Sequence, residues 1–439
     1  MSGKALRRMI WARTRKSMQQ IATLLFSALL ISLVGCSTAT PPNNGGGGGG
    51  GGGGPQNVAT ISVDGGPTAS TSSPYANGAF TSVTICVPGS TTQCQTINGI
   101  LVDTGSYGLR IESSLVTVAL PQQKDSSGNA VVECAQFGSG FAWGPVQTAD
   151  FTIAGESAKS LPIHIMGSTN FPDTDGGGAS ACANGQAGSA SDYDTVDKLG
   201  ANGILGVGNF AQDCGTACTQ SNSNPGFYYS CPRAATCTVT TEALASQVVN
   251  PVAMFPTDNN GVILELPALS GDSALTVTGS LIFGIGTESN NGLGNATIYD
   301  VDPSTANFTS VFKAVTYTGV AFIDSGSNAF YFLNSATTNL PDCTDVAFLY
   351  CPANDVNFSA TNEGFSNGNS GTVNFTIGNA DLLLSNTSDN AFGTIGGSGV
   401  AQDGTLYFDW GFPFFYGVNV YTAIEGATTP AGPGPYVAY

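Results

Sequence analysis

Histidine is almost missing from this sequence: His164 stands alone among 439 residues. A single copy excludes a multi-histidine metal site and leaves a His-based serine or cysteine triad only one position to use. It alternates with apolar neighbours in Leu161-Pro-Ile-His-Ile-Met166, so an outward or hydrogen-bonded strand residue is expected there. Charge is also scarce, at 10% of residues, and polarity rests on Ser, Thr, Asn and Gly as well. Of 12 Lys and Arg, Lys4, Arg7, Arg8, Arg13, Arg15 and Lys16 fall at the very start, whereas no Asp or Glu precedes Cys36. Without that segment 6 basic residues face 30 acidic ones, a net charge of −24. Such a surface repels phosphate backbones and anionic bilayers, which excludes nucleic acid as a partner. It suits work in acid or outside the cytoplasm, or simply solubility. Helical periodicity is lacking too, apart from a turn or two near Thr241–Val249.

What is present begins with an address. The basic start runs into the apolar stretch Ile21-Ala-Thr-Leu-Leu-Phe-Ser-Ala-Leu-Leu-Ile-Ser-Leu-Val34, which is short for a permanent membrane span. It ends in Leu33-Val34-Gly35-Cys36, which resembles the lipobox of bacterial lipoproteins. That resemblance implies a signal peptide over residues 1–35, cleavage before Cys36, and a lipid bilayer held through acylated Cys36. Ser at position 37, rather than Asp, implies an exported protein of the outer membrane. Residues 36–56 then form a tether, because the glycine run Gly45 to Gly54 cannot offset the entropy of being ordered.

Ten cysteines follow Cys36, an even number that suits five disulfides in an exported chain. Four close pairs read as local staples: Cys86–Cys94, Cys214–Cys218, Cys231–Cys237 and Cys343–Cys351. Cys134 and Cys182 would then pair with each other. Spacing does not fix connectivity, so this pairing stands as an expectation. The spacings lack a second matched pair at ligand distance, so no metal and no other cofactor is expected.

From Asn57 onward short apolar runs, such as Phe80-Thr-Ser-Val-Thr-Ile-Cys86 and Ala149-Asp-Phe-Thr-Ile153, alternate with Gly, Pro, Asn and Ser turns. This is an all-β pattern. A diffuse repeat underlies it. Ile97-Asn-Gly-Ile-Leu-Val-Asp-Thr-Gly-Ser-Tyr-Gly-Leu-Arg-Ile111 can be laid on Tyr317-Thr-Gly-Val-Ala-Phe-Ile-Asp-Ser-Gly-Ser-Asn-Ala-Phe-Tyr331. Each copy runs apolar strand, Asp-[Thr/Ser]-Gly-Ser, second apolar strand. Two copies of one β unit predict two lobes meeting at the motif.

Paired carboxylates explain the residue types. Two like charges a few ångströms apart cannot both ionise, so Asp103 and Asp324 would share one proton. The ionised member can take a proton from water as the protonated one gives its own to a carbonyl oxygen. Gly105 and Gly326 let the backbone turn and bring N–H groups to the carboxylates, with Thr104 and Ser325 beside them. Ser106 and Ser327 are placed to bond the outer oxygens.

Val102-Asp-Thr-Gly-Ser106 and Ile323-Asp-Ser-Gly-Ser327 resemble the two active-site loops of pepsin-like aspartic proteases. Phe137-Gly-Ser-Gly-Phe-Ala-Trp-Gly144 is similar to their flap hairpin, which places Phe137, Gly138, Ser139 and Gly140 at its tip. Asn202-Gly-Ile-Leu-Gly206 and Trp410-Gly-Phe-Pro-Phe-Phe-Tyr-Gly-Val-Asn-Val-Tyr421 resemble the segments that brace the two loops, and Thr278-Gly-Ser-Leu-Ile-Phe-Gly284 the strand closing the first lobe. With the lipobox, the chain resembles the DUF3443 group of bacterial lipoproteins. The resemblance implies a bilobal pepsin-like fold, with an N-terminal lobe over 57–286 carrying the first loop and flap, and a C-terminal lobe over 287–439 carrying the second.

The resemblance further implies a monomeric endopeptidase that takes a peptide or protein substrate into the cleft between lobes. Four departures bear on activity, and the altered flap among them motivates an alternative, an inactive relative that binds peptide or glycan at the cell envelope. Phe137 stands where the flap usually has Tyr, and its usual aromatic partner is not evident in Gly108-Leu-Arg-Ile111. Asp409 sits where an apolar residue is expected. Arg110 has two orientations open to it: toward Asp103, whose pKa it would lower, or away to an acid elsewhere.

Overall fold

The computed structural model describes residues 56–67, 74–138, 140–172, 182, 191–222, 224–233, 236–346, 348–401 and 404–439. The expected signal peptide, the lipidation site Cys36, the glycine run and the flap residue Ser139 lie outside the described residues. Within them strands dominate, and the longest α-helix, Ala380–Ser385, has 6 residues. No described helix is long and apolar enough to cross a membrane.

Alternation explains the strands. Phe308–Phe312 buries Phe308, Ser310 and Phe312 and half-exposes the residues between, the two-residue period of a sheet with one face on a core. Strands near the pair, by contrast, are buried on both faces: every residue of Tyr107–Glu112 and of Gly203–Val207 is covered. One continuous apolar core runs from Ile61 and Val102 in the first half to Phe332, Phe408 and Trp410 in the second.

The strands form two main sheets. A 7-stranded sheet lies entirely in the second half and includes Val315–Ile323, Phe330–Phe332 and Phe408–Trp410. A 16-stranded sheet holds the first half, yet Ile298–Asp300, Asn419–Ala423 and Tyr436–Ala438 also join it. Asn419–Ala423 pairs along its whole length with Gly261–Glu265, so the two halves share backbone ladders as well as side-chain contacts.

The repeat read from the sequence is a repeat of topology. Cys94–Asp103 pairs in parallel with Gly203–Val207, which pairs antiparallel with the return strand Tyr107–Glu112. In the second half Val315–Ile323 pairs in parallel with Phe408–Trp410, which pairs antiparallel with Phe330–Phe332 at Tyr331↔Asp409. Each acid-bearing turn therefore has both of its flanking strands bound to a third strand lying between them. Space forces the residue choice at the crossing. A Cβ on Gly206 would lie 2.6 Å from the Tyr107 nitrogen, and one on Gly411 would lie 2.2 Å from the Ala329 carbonyl oxygen.

Five disulfides join the pairs that spacing suggested: Cys86–Cys94, Cys134–Cys182, Cys214–Cys218, Cys231–Cys237 and Cys343–Cys351.

Candidate active site

Asp103 ends the strand Cys94–Asp103, and Asp324 directly follows the strand Val315–Ile323. Each makes the same local bonds. The Gly105 N–H donates to Asp103 Oδ1 at 2.8 Å, and the Ser106 hydroxyl to Oδ2 at 2.5 Å. The Gly326 N–H donates to Asp324 Oδ1 at 2.7 Å, and the Ser327 hydroxyl to Oδ2 at 3.1 Å. Two donors per carboxyl fix its plane, and bonds to the charged form favour ionisation.

The loops also grip each other. The Thr104 N–H donates to Ser325 Oγ at 3.0 Å, and the Ser325 N–H donates to Thr104 Oγ1 at 2.9 Å. The Ser325 hydroxyl itself donates to the Val102 carbonyl at 2.9 Å. Hydroxyl side chains are needed at both positions, since a buried N–H without an acceptor costs about 1–3 kcal/mol. The glycines complete the contact across the loops. A Cβ on Gly105 would fall 2.5 Å from Asp324 Cγ, and one on Gly326 would fall 2.7 Å from Asp103 Oδ1. Each acid thus occupies the space that the other loop's glycine leaves empty.

Asp103 and Asp324 are 7% and 6% exposed, so their carboxyls face each other with little water to screen them. Burial, and next the Asp103 charge, hold the Asp324 carboxyl well above the usual carboxylate range. The bonds from Gly326 and Ser327 oppose that shift without reversing it. A pair in which one member keeps its proton has both a base and an acid at one place.

A family model described as "Protein of unknown function (DUF3443)" matches residues 53–439. The chain belongs to this family. No curated protein matches it in sequence. Among solved structures it is similar to one titled "Crystal structure of aspartic proteinase from Irpex lacteus". That match has a TM-score of 0.49 and 15% identity, and it covers 87% of this chain and 96% of that one.

In this DUF3443 chain the expected flap is a hairpin of Ala130–Gln136 and Gly140–Ile153, closed where the Phe137 N–H donates to the Gly140 carbonyl at 2.8 Å. The Phe137 ring is turned onto the first half, 6.0 Å from Tyr193 and 5.7 Å from the Arg110 guanidinium carbon. Arg110 points away from Asp103. Its guanidinium bonds Glu133 at 2.6 Å, Asp213 at 3.1 Å and the Tyr107 carbonyl at 2.6 Å. His164 is not outward: it is fully buried, with Nδ1 3.2 Å from Glu133 Oε2. Burial opposes charge on Glu133, but Arg110 and then His164 outweigh it and hold that carboxyl below its usual range. Burial pushes His164 itself down to about 4.

Sequence reasoning gave no role to three residues that matter here. Asn77 ties the first half to the second loop, donating to the carbonyls of Asn328 at 2.7 Å and Phe392 at 2.8 Å and accepting from Tyr416 at 2.8 Å. Glu133 and Asp213 hold Arg110 away from the pair. Their partners lie far off in the chain, so no local pattern marks them. Among the described residues Cys343, Cys351 and Asp381 come together at ligand spacing, but the two sulfurs are joined to one another.

Proposed function

We propose that this DUF3443 protein is an aspartic endopeptidase. The observation that carries the reading is the interlocked pair: two buried carboxyls, each with one N–H and one hydroxyl donor, and a raised Asp324. A water bound between them loses a proton to Asp103 as it attacks the scissile carbonyl. Asp324, holding the shared proton, gives it to the carbonyl oxygen. Asp103 then delivers the proton it took from water to the amide nitrogen as the C–N bond breaks, and a hydroxyl proton of the diol returns to Asp324 as the carboxylic acid and the amine leave. Atoms balance with water as the only co-reactant. The substrate is a peptide or an unfolded protein segment, bound in extended form between the halves.

The experiment is hydrolysis of an unfolded protein from about pH 3 to about pH 7, where a shared proton can persist. Asp103→Asn and Asp324→Asn should each lower the rate by on the order of 10²–10⁴-fold. Cleavage that ignores both substitutions removes the proposal.

One observation favours a second reading, a non-catalytic binder of peptide or glycan. Phe137 has no hydroxyl to offer a bound water, and its ring is engaged by Tyr193 and Arg110. Binding of unfolded substrate without cleavage, at every pH, would select this alternative. In either case the basic and apolar start followed by Leu33-Val34-Gly35-Cys36 supports reading the protein as an exported lipoprotein, held by acylated Cys36 at the outer membrane. Metabolic labelling with a fatty acid, lost in Cys36→Ala, tests that placement.

A further inference from the structure

Beside Asp324 lies a carboxyl that a two-acid mechanism leaves unused. Asp409 is fully buried on the strand Phe408–Trp410, paired with Phe322 on one side and Tyr331 on the other. Neither of its oxygens has a close hydrogen-bond partner, the Ser327 side chain interacting with it only at longer range, and none of the ion pairs among the described residues includes it. The matching position in the first half is Ile204, set between Leu101 and Arg110 in the same way. An aliphatic side chain fills that place in one half, so packing does not explain an acid in the other. An unpartnered buried carboxyl is costly, and a charged one far more so.

The groups facing it come from three elements. Asp324 and Ser327 belong to its own half's loop, Asp103 to the opposite loop, and Tyr331 to the return strand. We propose that Asp409 is a third carboxyl of this site, a positioning residue that acts on Asp324 through Ser327. The proposal rests on reading Asp103 and Asp324 as a proton-sharing pair.

Burial, then the Asp324 charge and more weakly that of Asp103, keep Asp409 protonated well past the usual carboxylate range, the contact with Ser327 opposing them without reversing the shift. A protonated carboxyl is an O–H donor, and a serine hydroxyl that donates one hydrogen bond still has lone pairs to accept another. The Ser327 hydroxyl donates to Asp324 Oδ2 at 3.1 Å. A chain of donation from Asp409 to Ser327 to Asp324 orients that hydroxyl and favours negative charge on the outer oxygen of Asp324. No proton leaves Asp409 during turnover. Once Asp409 ionises, it competes for the Ser327 proton and adds a like charge beside the pair.

Protonation can be read directly, without turnover, in the full chain carrying ¹³C-labelled aspartate carboxyls. Asp409 should keep its protonated shift to a pH above the Asp324 step, and Asp324 should show a second inflection where Asp409 ionises. Asp409→Asn should erase that inflection while leaving the upper step of the pair nearly in place, because Asp409 is still neutral there and Asn keeps a donor, whereas Asp409→Leu, without a donor, should move that step up. The alkaline limb of peptide hydrolysis should stay in place in Asp409→Asn and move up in Asp409→Leu. Asp409→Leu keeps bulk without a donor, so a lower maximal rate than Asp409→Asn marks the bond to Ser327, and equal rates in both overturn that route. An Asp409 signal that titrates in the ordinary carboxylate range, with no second inflection at Asp324, overturns the proposal even if no variant folds. If the inflection is present but no form cleaves peptide, the endopeptidase reading fails and the three-acid coupling stands. If the protein cleaves peptide and the inflection is missing, only the third-acid proposal fails.

Discussion

Ser325 makes two of the bonds that tie the loops together through its hydroxyl alone, accepting from Thr104 and donating to Val102. Ser325→Ala should therefore leave a buried N–H and a buried carbonyl unpartnered and cost about 1–3 kcal/mol for each. The expected readout is an earlier denaturant midpoint with an unchanged slope. Ser325→Thr keeps the hydroxyl and should recover most of the loss.

At this scale the sequence was readable where chemistry is written in neighbours. Asp103, Thr104, Gly105 and Ser106 stand side by side, and their copies at Asp324 to Ser327 repeat the same bonds. Asn77 was unreadable because its bonds reach Asn328 and Phe392, 251 and 315 positions away. Arg110 was half readable. Its charge marked it as unusual, but its direction depends on Glu133 and Asp213, which only the fold brings to it.

The acid-bearing turn works as an element because its two ends are held by one inserted strand. Its geometry then leaves no room at the glycines. In Gly326→Ala the new methyl would meet Asp103 and Asp324 within 3.1 Å, and in Gly105→Ala it would meet Asp324 within 2.6 Å. Neither can be relieved by a long flexible side chain. Both variants should lose peptide hydrolysis while keeping the far-ultraviolet spectrum of the sheets, a loss of site geometry with retained fold. A variant at Gly271, where a Cβ has nothing within 4 Å and the backbone is not left-handed, serves as the control.

All-β character and the paired turns follow from alternation and repetition, both visible in sequence. The sheet membership of Asn419–Ala423 does not. That strand reads as part of the second half, yet its ladder partner is Gly261–Glu265. Pairing across such a separation is decided by the fold as a whole and not by neighbours in the chain.

Over the whole molecule, buried acids give stability an unusual pH dependence. Burial first, then Asp194 and Asp192, push Glu112 from 4.5 up to about 9. Between those values the folded form keeps a proton that the unfolded chain has released. Stability must fall as pH rises through that window. Asp213, Asp324 and Asp409, all raised, act in the same direction. His164 acts oppositely in acid. Its unfolded form takes a proton near 6.5 and its folded form only near 4, so stability falls as pH drops between them. Melting temperatures should thus peak on the acid side of neutrality and decline toward alkali. Glu112→Gln should flatten that decline, where one group contributes at most about 1.4 kcal/mol per pH unit.

The disulfides differ in reach. Four close loops of 4 to 8 residues, whereas Cys134–Cys182 spans 48 and anchors the hairpin strand Ala130–Gln136. Loop-closure entropy makes the long bridge worth roughly 4 kcal/mol. Replacing both of its cysteines with Ala should lower the melting point more than removing any one of the other bridges, as calorimetry would show.

The ladder between Gly261–Glu265 and Asn419–Ala423 also sets a timetable for the growing chain. A ribosome finishes the first strand long before it makes the second. Until then one edge of Gly261–Glu265 carries open N–H and carbonyl groups that any extended segment could occupy. The first half therefore cannot close its sheet while it is being made, and folding of the halves is committed to a late, joint step.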